Sequence, residues 1–324
     1  MENILVTAPF KSEQKSQMQI LVPDWPIVFT SYSEVTNEMI AKSTIIIGNV
    51  PIPLLASARS LKWMQLSSSG ASQFGEKLDD EILLTCSTGA FGSSVSEHLL
   101  AILFAVMKNL PFYIAEQQKS NWVQFLPQSL IEGSTVLVIG TGDIGSSFAR
   151  KVQALGATTL GCKRTPSPPF PGFDAIYTVD QLDIILPQAD IIVLALPETT
   201  STTHLIDKKK LLLMKKDAII ANGGRGSAID TEALCDVMES GHLAAAALDV
   251  TEQEPLPSNH RLWTTPRVLI TPHAGGGFLV SNTLNRIFDI SYDNLRRYKE
   301  GKPLLNNVDR KTGYVESTTD GDNL

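Results

Sequence analysis

Three cysteines in 324 residues, Cys86, Cys162 and Cys235, are too few and too scattered for a disulfide framework, and none forms a CxxC pair. This usage points to a reducing, cytoplasmic setting with no structural zinc, and no metal site is expected. Positive charge is scarce as well. The chain has 27 Lys and Arg against 34 Asp and Glu, a net charge of −7. That argues against a nucleic-acid partner or a membrane surface, while leaving room for one local basic site. No apolar run reaches the length of a membrane span. The opening stretch MENILVTAPFKSEQ has no charged leader followed by an apolar core, so no signal peptide is read there. Solenoid repeats and low-complexity linkers are also missing. What remains is a globular profile, 43% hydrophobic and 19% charged. The length exceeds one ordinary core and suits two domains.

Short apolar runs alternate with polar helical stretches. In the first third, NILVTA, PIVFT, TIIIGN, LKWMQLS and ILLTCST read as buried parallel strands. A long apolar helix is predicted from Val95 to Leu110, broken at Pro111, and it can bridge two domains. A second series starts at Ser134 with strands TVLVIG, TTLGC, DIIVLALP, DAIIANGG, AAAALDV and RVLITP. Its helices are predicted to begin near Gly142, Gln181, Lys208 and Thr231. An amphipathic helix follows from Asn282 to Lys302, and the polar tail from Asp309 reads as disordered. Strands alternating with helices make this an α/β protein with parallel sheets.

The stretch VLVIGTGDIGSSFARKVQALG places G-x-G-x-x-G on Gly140, Gly142 and Gly145, between an apolar strand and a helix. In that context the first glycine permits a tight turn, the second lets a pyrophosphate approach the backbone, and the third lets helix and strand pack closely. The helix N-terminus then offers N–H groups and a positive dipole end to phosphate. The alternative is a glycine turn that serves packing alone. At the end of the next strand an acid would accept hydrogen bonds from a ribose 2′-hydroxyl and select NAD. LGCKRTP instead carries Lys163, Arg164 and Thr165. A guanidinium fork, an ammonium and a hydroxyl suit a 2′-phosphate. The expected cofactor is therefore NADPH/NADP+, in preference to NADH/NAD+. A solvated cationic loop that accepts either is the bland reading.

Arg225, Glu254 and His273 each follow the carboxyl end of an apolar strand, the edge where doubly wound sheets bind ligands. Singly, each also reads as an ordinary surface arginine, loop acid or capping histidine. Together, an arginine can hold a carboxylate and polarise the neighbouring carbonyl. A histidine can protonate that carbonyl oxygen, and a glutamate can fix the ring tautomer. This predicts reduction of a 2-oxo acid to a 2-hydroxy acid. His98, His204, His242 and His260 lack such placement and read as helix or loop residues.

Four motifs in order, VIGTGDIG, IIANGGRG, LDVTEQEPLP and ITPHAGG, resemble those of the D-isomer-specific 2-hydroxyacid dehydrogenases, and the likeness covers nearly the whole chain. It implies a substrate-binding role for Arg225, the histidine partner on Glu254 and the acid/base on His273. Cofactor contacts fall on the motif positions Asp143, Ile144 and Gly275, and Asp249 matches an aspartate near the nicotinamide carboxamide. LPETTSTTHLI resembles a cofactor-lining segment and implicates Pro197 and Thr202. LSSSGASQF resembles the loop whose backbone meets the substrate carboxylate, here Ser69, Gly70 and Ala71.

The resemblance also implies an architecture. A doubly wound Rossmann-type nucleotide domain (residues 99–281) is inserted into a flavodoxin-like substrate domain (residues 1–98 plus 282–324), with the active site in the cleft. Homodimers paired through the nucleotide domains and the long helix are implied, as is hinge closure. The cationic loop resembles that of NADPH-using reductases of glyoxylate and hydroxypyruvate, and larger 2-oxo acids stay open. Val50, Phe91 and Trp263 are candidate pocket walls. Glu254 in place of glutamine argues against formate oxidation. Two other readings are a nucleotide-sensing co-repressor on the same fold and an NAD-dependent phosphoglycerate-type or phosphonate-oxidising dehydrogenase.

Overall fold

The β-branched runs pair as parallel strands throughout, because each is apolar on both faces and needs cover on both sides. The computed structural model describes residues 2–310 and Val315. The chain divides into two units, Met1–Phe91 with Gly277–Leu324, and Gly92–Gly276.

The first unit holds β1 (Ile4–Val6), α1 (Ser12–Leu21), β2 (Ile27–Phe29), α2 (Asn37–Lys42), β3 (Ile45–Ile47), β4 (Trp63–Gln65), α3 (Ser72–Gly75) and β5 (Leu83–Thr85). The strand order is β2-β1-β3-β4-β5, every pairing parallel. That is the flavodoxin-like order. One face buries Leu5, Ile46 and Met64 with Leu55 and Phe74. The other buries Ile4, Ile45 and Trp63 under α1 and the C-terminal helix, which contributes Leu284, Ile287, Phe288 and Leu295. Those positions recur at helical spacing, so a single stripe of that helix is apolar.

The second unit contains α4 (Gly92–Met107), α5 (Leu110–Gln118), β6 (Thr135–Ile139), α6 (Asp143–Ala154), β7 (Thr158–Lys163), β8 (Ala175–Thr178) and α7 (Leu182–Ile185). It continues with β9 (Ile191–Leu194), α8 (Lys208–Leu213), β10 (Ile219–Asn222), α9 (Thr231–Glu239), β11 (Ala245–Leu248) and β12 (Val268–Ile270). The closing helix of the first unit is α10 (Ser281–Lys299). The seven strands run β12-β11-β10-β9-β6-β7-β8. This is the doubly wound order, with connections reversing between β6 and β9. Strand β8 escapes the sequence reading, since AIYT is a short edge strand, half-buried along its length.

The long helix is α4, and it lies wholly in the second unit. The division therefore falls ahead of Gly92 and not at 98/99, because α4 is one continuous element packed on α6 and β11. Likewise the return falls after Gly276, ahead of the expected 281/282. Asn109 adopts a left-handed conformation (φ 54°), and Pro111 then sits in the first turn of α5, bent 65° from α4. Proline is tolerated there because the first N–H groups of a helix have no internal partner. Among the described residues no single helix is long and apolar enough to cross a membrane. Most of the expected disordered tail, residues 311–314 and 316–324, lies outside the described residues. Arg310 is described and is held: its guanidinium donates to the carbonyls of Leu78, Asp79 and Ile82.

Candidate active site

The glycine-rich turn lies at the carboxyl end of β6, at the reversal point of the sheet. Gly140 has φ +98°, and a Cβ there would come within 2.4 Å of the Ala195 carbonyl oxygen. A Cβ on Gly145 would stand 1.9 Å from the Gly140 carbonyl oxygen, so helix α6 can approach β6 only without a side chain. Gly142 is different: a Cβ there would meet nothing within 4 Å. Its missing side chain leaves open space over the N-terminus of α6, where unsatisfied N–H groups collect. These residues fit a dinucleotide pyrophosphate. The Asp143 carboxylate takes a different task, accepting from the Gly92 N–H at 2.7 Å, so its backbone is the part left to the turn. Ile144 is half-buried in the same first turn.

Lys163 ends β7, and Arg164 and Thr165 follow in exposed positions. The Lys163 ammonium stands 5.7 Å from the centroid of the Phe170 ring. After β9, Thr202 ties its own loop together. Its hydroxyl donates to the Pro197 carbonyl at 2.8 Å and accepts from Thr199 N–H at 2.9 Å.

The three candidate catalytic side chains follow β10, β11 and β12. His273 Nδ1 lies 2.8 Å from Glu254 Oε2, and Glu254 Oε1 accepts from the Thr251 N–H at 3.0 Å. A carboxylate only accepts, so the ring proton sits on Nδ1 and Nε2 is left for chemistry. Arg225 is half-buried. Burial pulls its guanidinium below the usual range, against the opposing charges of Glu198 and Glu254. The loop beneath it is built from Asn222, whose amide donates to the Arg225 carbonyl (2.9 Å) and accepts from the Gly224 N–H (3.0 Å). Gly226 must lack a side chain, since a Cβ would fall 1.9 Å from the Thr251 carbonyl carbon.

His273 itself holds a left-handed backbone, φ 52°, a strained conformation for a residue with a side chain. Asp249 maintains it. The Asp249 carbonyl accepts from the His273 N–H at 2.7 Å. Its carboxylate accepts from Thr271 Oγ1 (2.6 Å), Ala274 N–H (2.9 Å) and Gly275 N–H (3.0 Å). Asp249 is only 2% exposed. The sequence motif ties this aspartate to cofactor; in the structure its oxygens organise the histidine loop.

His98 is a helix residue, as read, and in addition its Nε2 lies 3.0 Å from Asp249 Oδ1 and 2.9 Å from Thr271 Oγ1. His204 is a loop residue, as read, and its Nε2 lies 2.6 Å from Glu252 Oε1, joining the loop after β9 to the loop after β11. Spacing along the chain carried no sign of either pairing, because their partners lie far away in sequence. His242 and His260 fit the earlier reading, the first beside the Met214 carbonyl and the second capping Leu262 N–H.

In the first unit, Ser69, Gly70 and Ala71 follow β4 and precede α3. Ser68 Oγ donates to the Gly70 carbonyl at 2.9 Å and accepts from the Asn49 amide at 3.2 Å, shaping that turn. Val50 is 0% exposed within a core cluster, so it is not a pocket wall. Phe91 packs partly against the other core cluster. Trp263 is half-exposed, its Nε1 donating to the Pro257 carbonyl. Among the described residues no cluster of metal-ligating side chains occurs.

A family model described as "D-isomer specific 2-hydroxyacid dehydrogenase, NAD binding domain" matches residues 100–275. A family protein from Aeromonas salmonicida has a similar crystal structure, with a TM-score of 0.84 and 30% identity over 95% of this chain and 99% of that one. The D-isomer specific 2-hydroxyacid dehydrogenase of Xanthobacter autotrophicus Py2, in complex with NADPH and MES, gives a TM-score of 0.79 and 25% identity, covering 97% and 99%. The glyoxylate reductase of Aeropyrum pernix is 37% identical over 57% of this chain and 54% of its own length.

Proposed function

The chain belongs to the D-isomer-specific 2-hydroxyacid dehydrogenases, and within that family we propose that it is an NADP(H)-preferring reductase of a small 2-oxo acid. The observation that carries the reading is the His273–Glu254 pair at 2.8 Å, on the same sheet edge as the half-buried Arg225. A reduced nicotinamide, when bound, would be the source of the hydride for the carbonyl carbon. Arg225 holds the substrate carboxylate and polarises the carbonyl. His273, acting as an imidazolium protonated on both nitrogens, gives its Nε2 proton to the carbonyl oxygen and is left neutral with the Nδ1 proton, which Glu254 holds along with the ring. The backbone N–H groups of Ser69, Gly70 and Ala71 are proposed as further carboxylate contacts, on the strength of LSSSGASQF.

Gly140, Gly142 and Gly145, with the backbone of Asp143 and Ile144, would hold the pyrophosphate. Pro197, Thr202, Asp249 and Gly275 would form the nicotinamide side. Lys163, Arg164 and Thr165 would take the 2′-phosphate, and no acid stands at this strand end to bind a 2′-hydroxyl. The NADPH complex of the Xanthobacter protein supports that preference. The Aeropyrum glyoxylate reductase supports a small substrate such as glyoxylate or hydroxypyruvate. A homodimer is part of the proposal: Leu110, Phe112 and Ile114 on α5 and Trp122 and Phe125 beyond it are exposed apolar side chains of one stretch.

The test is oxidation of NADPH and NADH, side by side, across glyoxylate, hydroxypyruvate, pyruvate, 2-oxoisocaproate and phenylpyruvate. NADPH-preferring turnover of the small acids is expected. Turnover with NADH alone overturns the cofactor preference, and no turnover with either overturns the enzymatic reading. His273→Ala should abolish turnover while NADP+ still binds.

A further inference from the structure

Strand β7 contains a gap that the loop after it fills. A Cβ on Gly161 would stand 2.6 Å from Ile176 Cδ1 and 2.9 Å from Phe173 Cδ1, so the glycine admits Phe173 against the strand. Phe173 is 4% exposed. Its N–H donates to the Phe170 carbonyl at 3.0 Å, and the two rings meet edge to face at 5.0 Å and 67°. The loop between is stiff: Pro166, Pro168, Pro169 and Pro171 restrict its backbone. Gly172, at φ +102°, turns it back where a Cβ would lie 3.0 Å from Arg150 Cγ of α6. The result is a fixed aromatic ring, and over it, at 5.7 Å, stands the ammonium of Lys163, the last residue of β7.

A ring face attracts a cation through its quadrupole, within about 6 Å. It does so without a lone pair that would take up the ammonium N–H groups in ordinary hydrogen bonds. An arrangement of this kind confines a long flexible side chain while keeping its donors for an anion. The entropy of ordering Lys163, otherwise lost on binding, is then already spent.

We propose that Phe170 is a positioning residue for cofactor specificity: its ring holds the Lys163 ammonium where a 2′-phosphate on the adenosine ribose is received, so that it favours NADP(H) over NAD(H). The proposal rests on the phosphate role read above for Lys163. Phe170 does not touch the phosphate; it acts through the lysine.

The experiment is calorimetric titration of the full-length protein with NADP+ and NAD+, using Phe170→Leu, Phe170→Tyr, Lys163→Ala and the Phe170→Leu/Lys163→Ala double variant. Leucine keeps apolar contact with Phe173 and removes the ring; tyrosine keeps the ring. Phe170→Leu should raise the Kd for NADP+ about two- to fivefold, the range of an exposed cation–π contact, and leave the Kd for NAD+ unchanged. Phe170→Tyr should match the wild type. In the Lys163→Ala background the leucine should have no further effect, because the pair acts as a unit. Equal losses for both nucleotides, or an undiminished effect without Lys163, would overturn the proposal and leave Phe170 a packing residue. If Lys163→Ala costs no NADP+ affinity, the phosphate role of the lysine fails, and with it the ground of this proposal. If that variant loses NADP+ affinity and Phe170→Leu does not, only the role of Phe170 fails.

Discussion

Asp249→Asn offers a sharp perturbation of the catalytic loop. The carboxylate is buried, and its two oxygens face donors on both sides: the Thr271 hydroxyl and the Ala274 N–H on one, the Gly275 N–H on the other. An amide has the same shape but only one acceptor atom. Whichever way it turns, an NH2 group faces a donor that needs an acceptor. An unmet buried donor costs about 1–3 kcal/mol, more when the lost acceptor was charged, so about 2–3 kcal/mol is expected here. Local opening of the loop should then rise roughly 30- to 150-fold. Native-state amide hydrogen exchange at Ala274 and Gly275 reads this directly, with the amides of β9 as a control for global stability. Turnover should fall with it, since the His273 N–H is bound to the carbonyl of the same aspartate. Exchange at both amides within threefold of wild type would refute the assignment of Asp249 as the residue that holds the histidine loop.

Three other outcomes follow from the same geometry. Gly226→Ala would drive a Cβ into the Thr251 backbone, which has no side chain to move aside; a loss of about 3 kcal/mol or more in urea unfolding is expected, and a near-neutral variant would contradict it. His204 is raised above its ordinary value, chiefly by its hydrogen bond to Glu252. A raised folded value means the pair stabilises fully below the unfolded pKa and fades as pH climbs through the folded one. The stability difference between wild type and His204→Gln, at most about 1 kcal/mol for so exposed a pair, should vanish towards alkaline pH. Arg310→Ala should destabilise the first unit by roughly 1–3 kcal/mol, because three carbonyls lose a charged donor; tryptophan fluorescence from Trp25 and Trp63 during urea unfolding would register it.

The parallel strands were legible because runs such as TIIIGN and DIIVLALP are apolar at consecutive positions, a pattern that two-sided burial demands. The turn at Gly140, Gly142 and Gly145 was legible because its glycines are spaced by local geometry. The organisation around Asp249 was not. His98 reaches it from a helix 151 positions earlier in the chain, and no local pattern encodes such a meeting. Strand β8 was missed for a different reason: an edge strand is half-solvated and carries a weak apolar signal. Val50 was misjudged because a valine just past a strand end reads equally as pocket wall or core, and packing alone decides.

The first unit is written into the chain in two pieces, and this has a consequence for synthesis. Strands β1 to β5 leave the ribosome long before α10, whose Leu284, Ile287, Phe288 and Leu295 cover one face of their sheet. During the whole translation of the second unit that face lacks its largest cover. The second unit has no such debt, since its sheet and helices are contiguous in sequence. Nascent chains should therefore complete their folding in the order opposite to that of their beginnings: the middle of the polypeptide first, the ends last. Until α10 arrives, that face, covered by α1 alone, is open to chaperones and to mispairing with a neighbouring nascent chain.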